Sequence, residues 1–224
     1  MNGLAGFGYT SREGDFLRIT SLVGGYFLRR HFNEFVNRRC GAIGQQFIRR
    51  ALKLAHIAPV TALGGRVFYH VQGSAVYAAV GDPDNRNRRD HRPDHVRRRL
   101  MALDLVLSDG NNRWLLAEKD KVNKLAELGI SQSELPTEPC DVKAKRVFID
   151  QQPVGVREAD VLEFYFIDDG SRTLAAWRSF LKRHRVIFNR LQAAGVVFAT
   201  WKPARANSAK STFRHEVTGE VSAG

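Results

Sequence analysis

The stretch from Tyr26 to Ile57 reads YFLRRHFNEFVNRRCGAIGQQFIRRALKLAHI. Its apolar residues recur at helical spacing on both sides of the breaker Asn37–Gly41, which predicts helices over 28–36 and 42–55. A hairpin-like segment, Ala58–Val71, follows at once. A helix, a turn, a second helix rich in arginine and glutamine, and then a β-hairpin form the order of a winged helix-turn-helix. We therefore expect that fold near the start of the chain.

The helix over 42–55 carries the side chains expected to meet DNA. Its predicted inner face consists of Ile43, Phe47, Ala51, Leu54 and Ala55. Its glutamines and arginines then point outward, where glutamine can pair with adenine and arginine with guanine in the major groove. Further arginines lie just before this helix, at the start of the previous helix and in the hairpin. All three places are expected to lie close to DNA phosphates. The predicted DNA-binding residues are Arg29, Arg30, Arg38, Arg39, Gln45, Gln46, Arg49, Arg50, Lys53 and Arg66.

The flanking segments complete the predicted fold. Thr10 or Ser11 is suited to cap a first helix that runs to about Val23. In the hairpin, Gly64 and Gly65 supply the positive φ that a tight turn needs. A short helix over 74–80 closes the unit.

The charge of the chain favours a polyanionic partner. The net charge is +12, with 35 lysines and arginines against 23 acidic residues. Residues 1–99 carry a net +10, residues 100–170 a net −6 and residues 171–224 a net +8. Such segregation points to nucleic acid first and to an anionic membrane second.

Composition also divides the chain. We predict a winged helix-turn-helix domain over 1–81, a basic linker over 82–95, an α/β domain over 96–203 and a flexible basic tail over 204–224. The linker, GDPDNRNRRDHRPD, has no apolar residue over 81–94. Its arginines could make a second contact with phosphates. The alternative is that the segment is a solvated loop without a ligand. The pairs Asp90-His91 and Asp94-His95 are interpreted as loop residues, and no metal or other cofactor is predicted.

The second half alternates strands and helices. Strands are predicted over 113–117 and 160–167 and a hairpin over 143–156. A long helix over 173–194 is predicted to end at Gly195 and to lead into a strand over 196–201, parallel to the strand before the helix. This order fits a small mixed sheet in an α/β or α+β arrangement, and a degenerate restriction-endonuclease-like core is the candidate for it.

A nuclease of that type needs an aspartate and a Glu-x-Lys pattern to hold Mg²⁺. The candidate carboxylates are Asp150, Asp160, Glu163, Asp168 and Asp169. Tyr165 stands where the lysine is required, so we predict no enzymatic activity, with a metal-dependent nuclease as the alternative. Trp114, Trp177 and Trp201 lie in apolar patterns and are predicted to be core residues.

Two cysteines without CxxC spacing indicate a reducing compartment. No apolar run approaches a membrane span, and no signal peptide is evident, so we expect a cytoplasmic protein that does not enter membranes.

The winged-helix segment together with LEFYFIDDGSRTLAAWRSFLKRHRVIFNRL, residues 162–191, resembles the replication-relaxation proteins of plasmids and integrative elements. In that family the strand before the long helix carries an acidic residue; Glu163 and Asp168 are the nearest equivalents. The resemblance implies a DNA-binding protein of a mobile element that acts in replication, mobilisation or transcriptional regulation. We expect double-stranded DNA as partner, with a homodimer and a recombinase or replication protein as possible protein contacts. An adaptor for a transposition or conjugation complex is the remaining alternative.

Overall fold

The computed structural model describes residues 3–38, 41–61, 65–110, 112–138, 146–147, 153–191 and 194–218. It is a mixed α/β protein with two compact units, residues 1–110 and residues 111–224. The predicted α/β class is confirmed, but the division of the chain differs from the predicted one, since residues 82–110 belong to the first unit.

The first unit begins with helix α1, Ser11–Val23, which is fixed by a complete capping box. The Thr10 hydroxyl accepts a hydrogen bond from the Glu13 backbone N–H, and the Glu13 carboxylate accepts one from the Thr10 backbone N–H. This reciprocal pair satisfies two donors that a helix start leaves open. The predicted cap at Thr10 is therefore confirmed.

Strand β1, Tyr26–Phe27, follows α1 and precedes helices α2, Arg29–Phe35, and α3, Ala42–Lys53. Strands β2, Ile57–Thr61, and β3, Val67–Val71, form the predicted antiparallel hairpin, and β1 pairs with the other edge of β3. Helix α4, Ser74–Ala79, comes next. Of the predicted turn glycines, Gly65 has φ +74°, whereas Gly64 lies outside the described residues.

The core of the first unit is aromatic. The side chains of Phe16, Phe27, Phe32 and Phe47 are fully buried, and the rings of Phe32 and Phe47 stack at 4.2 Å. Phe16 meets each of the other three edge-on at 5.1 to 5.7 Å. These contacts join α1, β1, α2 and α3, so one cluster sets the relative placement of the elements that the sequence predicts.

Residues 82–95 are not a linker. Asn87, in a turn of 3₁₀-helix at Arg86–Arg88, is fully buried and donates hydrogen bonds to the backbone carbonyls of Ser21 and Leu22. Helix α5, Pro93–Ser108, then packs against α1, β1 and α2. The lack of apolar residues predicted a linker here. The segment is instead anchored by hydrogen bonds, since the Asn87 side-chain amide donates to two backbone carbonyls of the first unit.

The second unit contains a four-stranded sheet. From one edge to the other, its strands are β4, Arg113–Leu115; β7, Val154–Val156; β8, Leu162–Asp168; and β9, Ala194–Thr200. Strands β8 and β9 are parallel, as predicted. They are joined through helix α7, Leu174–Arg190, which is capped by Thr173. Gly195 lies within β9 and does not cap α7, contrary to the prediction.

The remaining elements of this unit are helix α6, Glu118–Glu127, the short pair β5, Thr137–Glu138, with β6, Arg146–Val147, and helix α8, Ala204–Phe213. The predicted hairpin over 143–156 is wrong, since β6 pairs with β5 and β7 pairs with β4 and β8.

The predicted flexible tail is also wrong over its first half. Ala209 of α8 is buried and its carbonyl accepts a hydrogen bond from the indole N–H of Trp177. Trp177 is a core residue as predicted, whereas Trp201 is 60% exposed and is not.

The net charge of each part of the chain differs from the predicted one, because the boundary between the units lies at residue 110. The first unit holds 17 lysines and arginines against 9 acidic residues, for a net charge of +8. The second holds 18 against 14, for a net charge of +4. Neither unit is acidic, because the acidic stretch over 100–170 is shared between them and the second unit also contains the basic C-terminal segment. Within the described residues, no helix is both long enough and apolar enough to cross a bilayer.

Candidate nucleic-acid interface

Helix α3 is rotated relative to the predicted orientation. Its buried residues are Gly44, Phe47, Ile48 and Ala51, spaced at three and four residues. Ile43 and Leu54, which were predicted to face inward, are 49% and 38% exposed. Gly44 lies on the buried side of α3 and faces α2, where a Cβ atom would come within 2.5 Å of the Asn33 Oδ1. A larger residue at position 44 would therefore have to displace the Asn33 amide.

The rotation leaves one polar stripe opposite the buried face. At 100° per residue, Gln46, Arg49 and Lys53 lie farthest from the core, and Gln45 flanks them. All four are exposed. The stripe spans about 10 Å along the helix axis. Helix α3 contains no acidic residue, and no described carboxylate forms an ion pair with Arg49 or Lys53. These side chains can therefore reach a ligand without breaking contacts within the unit.

Arg50 has a different environment from its neighbour Arg49. Its guanidinium lies 2.6 Å from the Glu13 carboxylate and 3.0 Å from the backbone carbonyl oxygen of Gly8. It also lies 6.0 Å from the centre of the Tyr9 ring. Arg50 thus connects α3 to the cap of α1. We separate it from the outward stripe, although the sequence predicted the two arginines to act together.

The two arginines at the start of α2 also differ. Arg29 is exposed, whereas the two terminal nitrogens of the Arg30 guanidinium, Nη1 and Nη2, contact the Asp104 carboxylate of α5 at 2.5 and 2.8 Å. The buried His31 accepts the Leu28 N–H at Nδ1, so its proton lies on Nε2, which contacts Asp104 at 2.8 Å. Partial burial raises the pKa of Asp104, but the hydrogen bonds from His31 and Arg30, together with the charge of Arg30, outweigh it and hold the pKa at about 2. Sequence reasoning missed this junction because 73 residues separate its members.

A shallow groove lies between α2 and β3. Its lining combines an apolar floor with two cationic groups and one amide: Leu28, Arg29, Arg30, Asn33, Val67 and Tyr69. Of the other predicted residues, Arg38 and Arg66 are exposed, and Arg39 lies outside the described residues. The structure thus presents Arg29, Arg38, Arg66 and the α3 stripe to solvent.

The arginines over 86–99 are only partly available. The Arg88 guanidinium donates to the Pro83 carbonyl, and Arg98 lies 3.4 Å from Asp94. Arg99 is largely inside the unit, where it bonds the carbonyl of Gly24 at 2.8 Å, and burial lowers its pKa to about 10. Arg89, Arg92 and Arg97 are exposed. A phosphate contact from this segment therefore involves fewer arginines than the sequence count indicates.

The carboxylates of the second unit have partners of their own. Glu163 lies 2.7 Å from Arg157 and 2.5 Å from the Tyr165 hydroxyl. Asp168, at the end of β8, is fully buried and lies 2.8 Å from Arg205. Asp160 pairs with Lys124 at 3.0 Å.

Asp150 lies outside the described residues, and Asp169 accepts the Ser171 hydroxyl at 2.7 Å. In the described part of the chain, no three His, Cys, Asp or Glu side chains are grouped to hold a metal ion.

Comparisons with protein-family models, with curated proteins and with solved structures returned no match to this chain.

Proposed function

We propose that the first unit is a winged helix-turn-helix that binds double-stranded DNA, with α3 in the major groove. The observation that carries the proposal is the outward stripe of Gln46, Arg49 and Lys53 on a helix without acidic residues. Glutamine and arginine are the side chains that make bidentate contacts to adenine and guanine in that groove.

The order of elements supports the same proposal. The succession α1, β1, α2, α3, β2, β3, with β1 on the outer edge of β3, places a two-stranded hairpin directly after the candidate recognition helix. In a winged helix such a hairpin contacts the DNA backbone beside the helix. Arg66 immediately precedes β3 and is exposed, which suits it for a phosphate contact.

The net charge of +8 on the first unit supports binding to a polyanion, and Arg29 and Arg38 add exposed cations next to α3. Phosphate contacts of this kind fix the orientation of a protein on a duplex without reading its sequence. In this proposal, base recognition comes from α3, and the remaining arginines contribute affinity that depends on salt.

The biological setting is proposed from the sequence resemblance to replication-relaxation proteins. The protein would act in the cytoplasm as a DNA-binding component of a mobile element, in replication, mobilisation or transcriptional regulation. Binding, and not catalysis, is the proposed activity, since Glu163 and Asp168 are held by Arg157 and Arg205.

The test is binding of the full chain to duplexes selected from a random pool, measured by fluorescence anisotropy over a range of salt. Arg49→Ala should weaken binding by about 1–3 kcal/mol and relax the sequence preference at one position. Arg12→Ala is the matched control, because Arg12 is also exposed but lies on α1. Arg50→Ala should lower the thermal stability more than Arg49→Ala does, since it breaks the ion pair with Glu13.

Equal effects of Arg49→Ala and Arg12→Ala on affinity would reject α3 as the recognition helix. Failure of the wild-type chain to retain any duplex at low salt would reject DNA binding altogether.

A further inference from the structure

Helix α7 of the second unit has one buried face and one strongly basic face. Trp177, Phe180, Leu181, His184 and Ile187 are buried against the sheet side. The exposed side, which we name the α7 face, carries cations and one valine, together with Ala175, Ser179 and Asn189: Arg178, Lys182, Arg183, Arg185, Val186 and Arg190. At 100° per residue, Arg183 and Arg185 lie on the two flanks of this face. Five of these nine exposed residues are cationic, and α7 contains no acidic residue.

Neighbouring carboxylates neutralise only part of this charge. Glu216 lies 4.0 Å from Arg178 and 3.9 Å from Lys182, and Glu134 lies 2.8 Å from Arg190. Among the described residues, no carboxylate forms an ion pair with Arg183 or Arg185. Two glutamates therefore face five cations. The surrounding sequence adds to the excess, since residues 171–224 carry 10 lysines and arginines against 2 acidic residues.

The shape of the α7 face suits a phosphate backbone. Arg178 and Arg190 are twelve residues apart, which is about 18 Å along the helix. The phosphates of one DNA strand recur about every 3.4 Å along the duplex axis, so long cationic side chains spread over this length can meet several of them. Val186 is the one large apolar residue on this face, and it is 49% exposed. A protein partner normally requires a buried apolar centre, which a single valine does not provide.

We propose that the α7 face is a second DNA-contacting surface, which binds the phosphate backbone of duplex DNA without reading its sequence. This inference rests on the proposed function of the first unit and assigns part of the binding to the second unit.

The experiment compares two double variants of the full chain. Arg183→Gln with Arg185→Gln removes two charges from the α7 face, and glutamine retains helix propensity. Arg113→Gln with Lys119→Gln removes the same charge from exposed positions on β4 and α6. Binding is measured on a duplex of about 30 base pairs, roughly three helical turns, by anisotropy across a salt series. Circular dichroism and thermal melting establish that both variants are folded.

The α7 variant should bind up to about 30-fold more weakly at roughly 0.15 M salt, with a salt slope shallower by up to about 1.8, which is the loss of two phosphate contacts. The loss should be equal on selected and scrambled duplexes. The control variant should remain within about threefold of wild type, because exposed charges away from the DNA act only at long range.

Equal affinities of the two double variants would overturn the proposal while leaving the effect of Arg49→Ala intact. A loss in the α7 variant without any effect of Arg49→Ala would instead sustain the α7 face and reject α3. A third arm uses vesicles of phosphatidylcholine and phosphatidylserine. If the α7 variant loses vesicle binding but keeps its DNA affinity, the surface serves membranes and the proposal fails.

Discussion

Replacing Asp104 by asparagine is expected to loosen α5 from the rest of the first unit. The Asp104 carboxylate contacts Arg30 with both oxygens and also meets the buried His31 at 2.8 Å. Asparagine keeps the shape and one acceptor oxygen but removes the charge that attracts Arg30. A charge-assisted hydrogen bond is about twice as strong as a neutral one, so the junction should weaken and not disappear.

The magnitude follows from the pKa of Asp104, which is lowered from 3.8 to about 2. That difference corresponds to about 2.4 kcal/mol before solvent screening. The side chain is 38% exposed, so we reduce the expected contribution to about 1 kcal/mol. Because the folded-state pKa is depressed, this stabilisation is fully present above the unfolded pKa. It is lost as the pH falls from about 4 through about 2.

The assay is urea unfolding at neutral pH and at several pH values between about 4 and 2. Far-UV circular dichroism follows both units. Tryptophan fluorescence reports on the second unit alone, because all three tryptophans lie there. Asp104→Asn should move the circular dichroism transition at neutral pH and leave the fluorescence transition in place. Glu34→Gln, which removes an exposed carboxylate from α2, is the matched control.

Two results would refute this expectation. Unfolding of Asp104→Asn at the same urea concentration as Glu34→Gln at neutral pH would mean that the junction contributes no stability. A difference between Asp104→Asn and wild type that stays constant down to about pH 2, where protonation should have removed most of it, would contradict the role of the charge.

Three further outcomes are expected. Phe47→Ala should destabilise the first unit by about 3–5 kcal/mol in urea unfolding, because it leaves a cavity in the aromatic core; a loss below about 1 kcal/mol would mean that the core collapses around it. Ending the chain before Ala204 should shift the emission of Trp177 to longer wavelength, since α8 no longer covers it; unchanged emission would contradict the role of α8. Burial and the nearby Arg99 lower the pKa of His91 to about 4, so its ring proton resonances should titrate there by NMR, and a midpoint near the usual 6.5 would refute this environment.

Sequence periodicity located most elements of the first unit but not the orientation of α3. Apolar residues at 43, 47, 48, 51, 52 and 54 form two overlapping stripes, and both satisfy a helical repeat. The stripe that is buried in the structure is the one on which Gly44 faces Asn33 of α2. Which stripe meets the neighbouring helices is a tertiary effect, which a pattern within one helix does not encode.

The boundary between the units escaped prediction for a related reason. The periodicity of α5 shows that it has an apolar face, but not which core receives it. Its placement depends on Val96 and Leu103 packing in the first unit, together with the pairing of Asp104 with Arg30. Trp201 is a second case in which a local pattern was not enough. Its apolar neighbours in the sequence predicted burial, but its side chain is exposed just after the end of β9.

In the second unit, the parallel pairing of β8 and β9 followed from the length of the connecting helix. The helical segment after Pro203 was not foreseen, because its composition, ARANSAKSTF, has few large apolar residues. Its burial depends on a residue far away in the sequence, since Ala209 is buried and its carbonyl accepts the indole N–H of Trp177.

The buried Asn87 has a consequence for how the chain can be cut and extended. The segment over 82–99 holds seven arginines and no lysine, and all of them except Arg92, which precedes Pro93, are trypsin sites. A protease needs a stretch that detaches and extends, whereas Asn87 is tied to the end of α1 and Arg99 to Gly24. Trypsin should therefore spare these arginines until the first unit unfolds. Reporter tags or inserted domains would be poorly tolerated here, at the place that composition would first suggest for them.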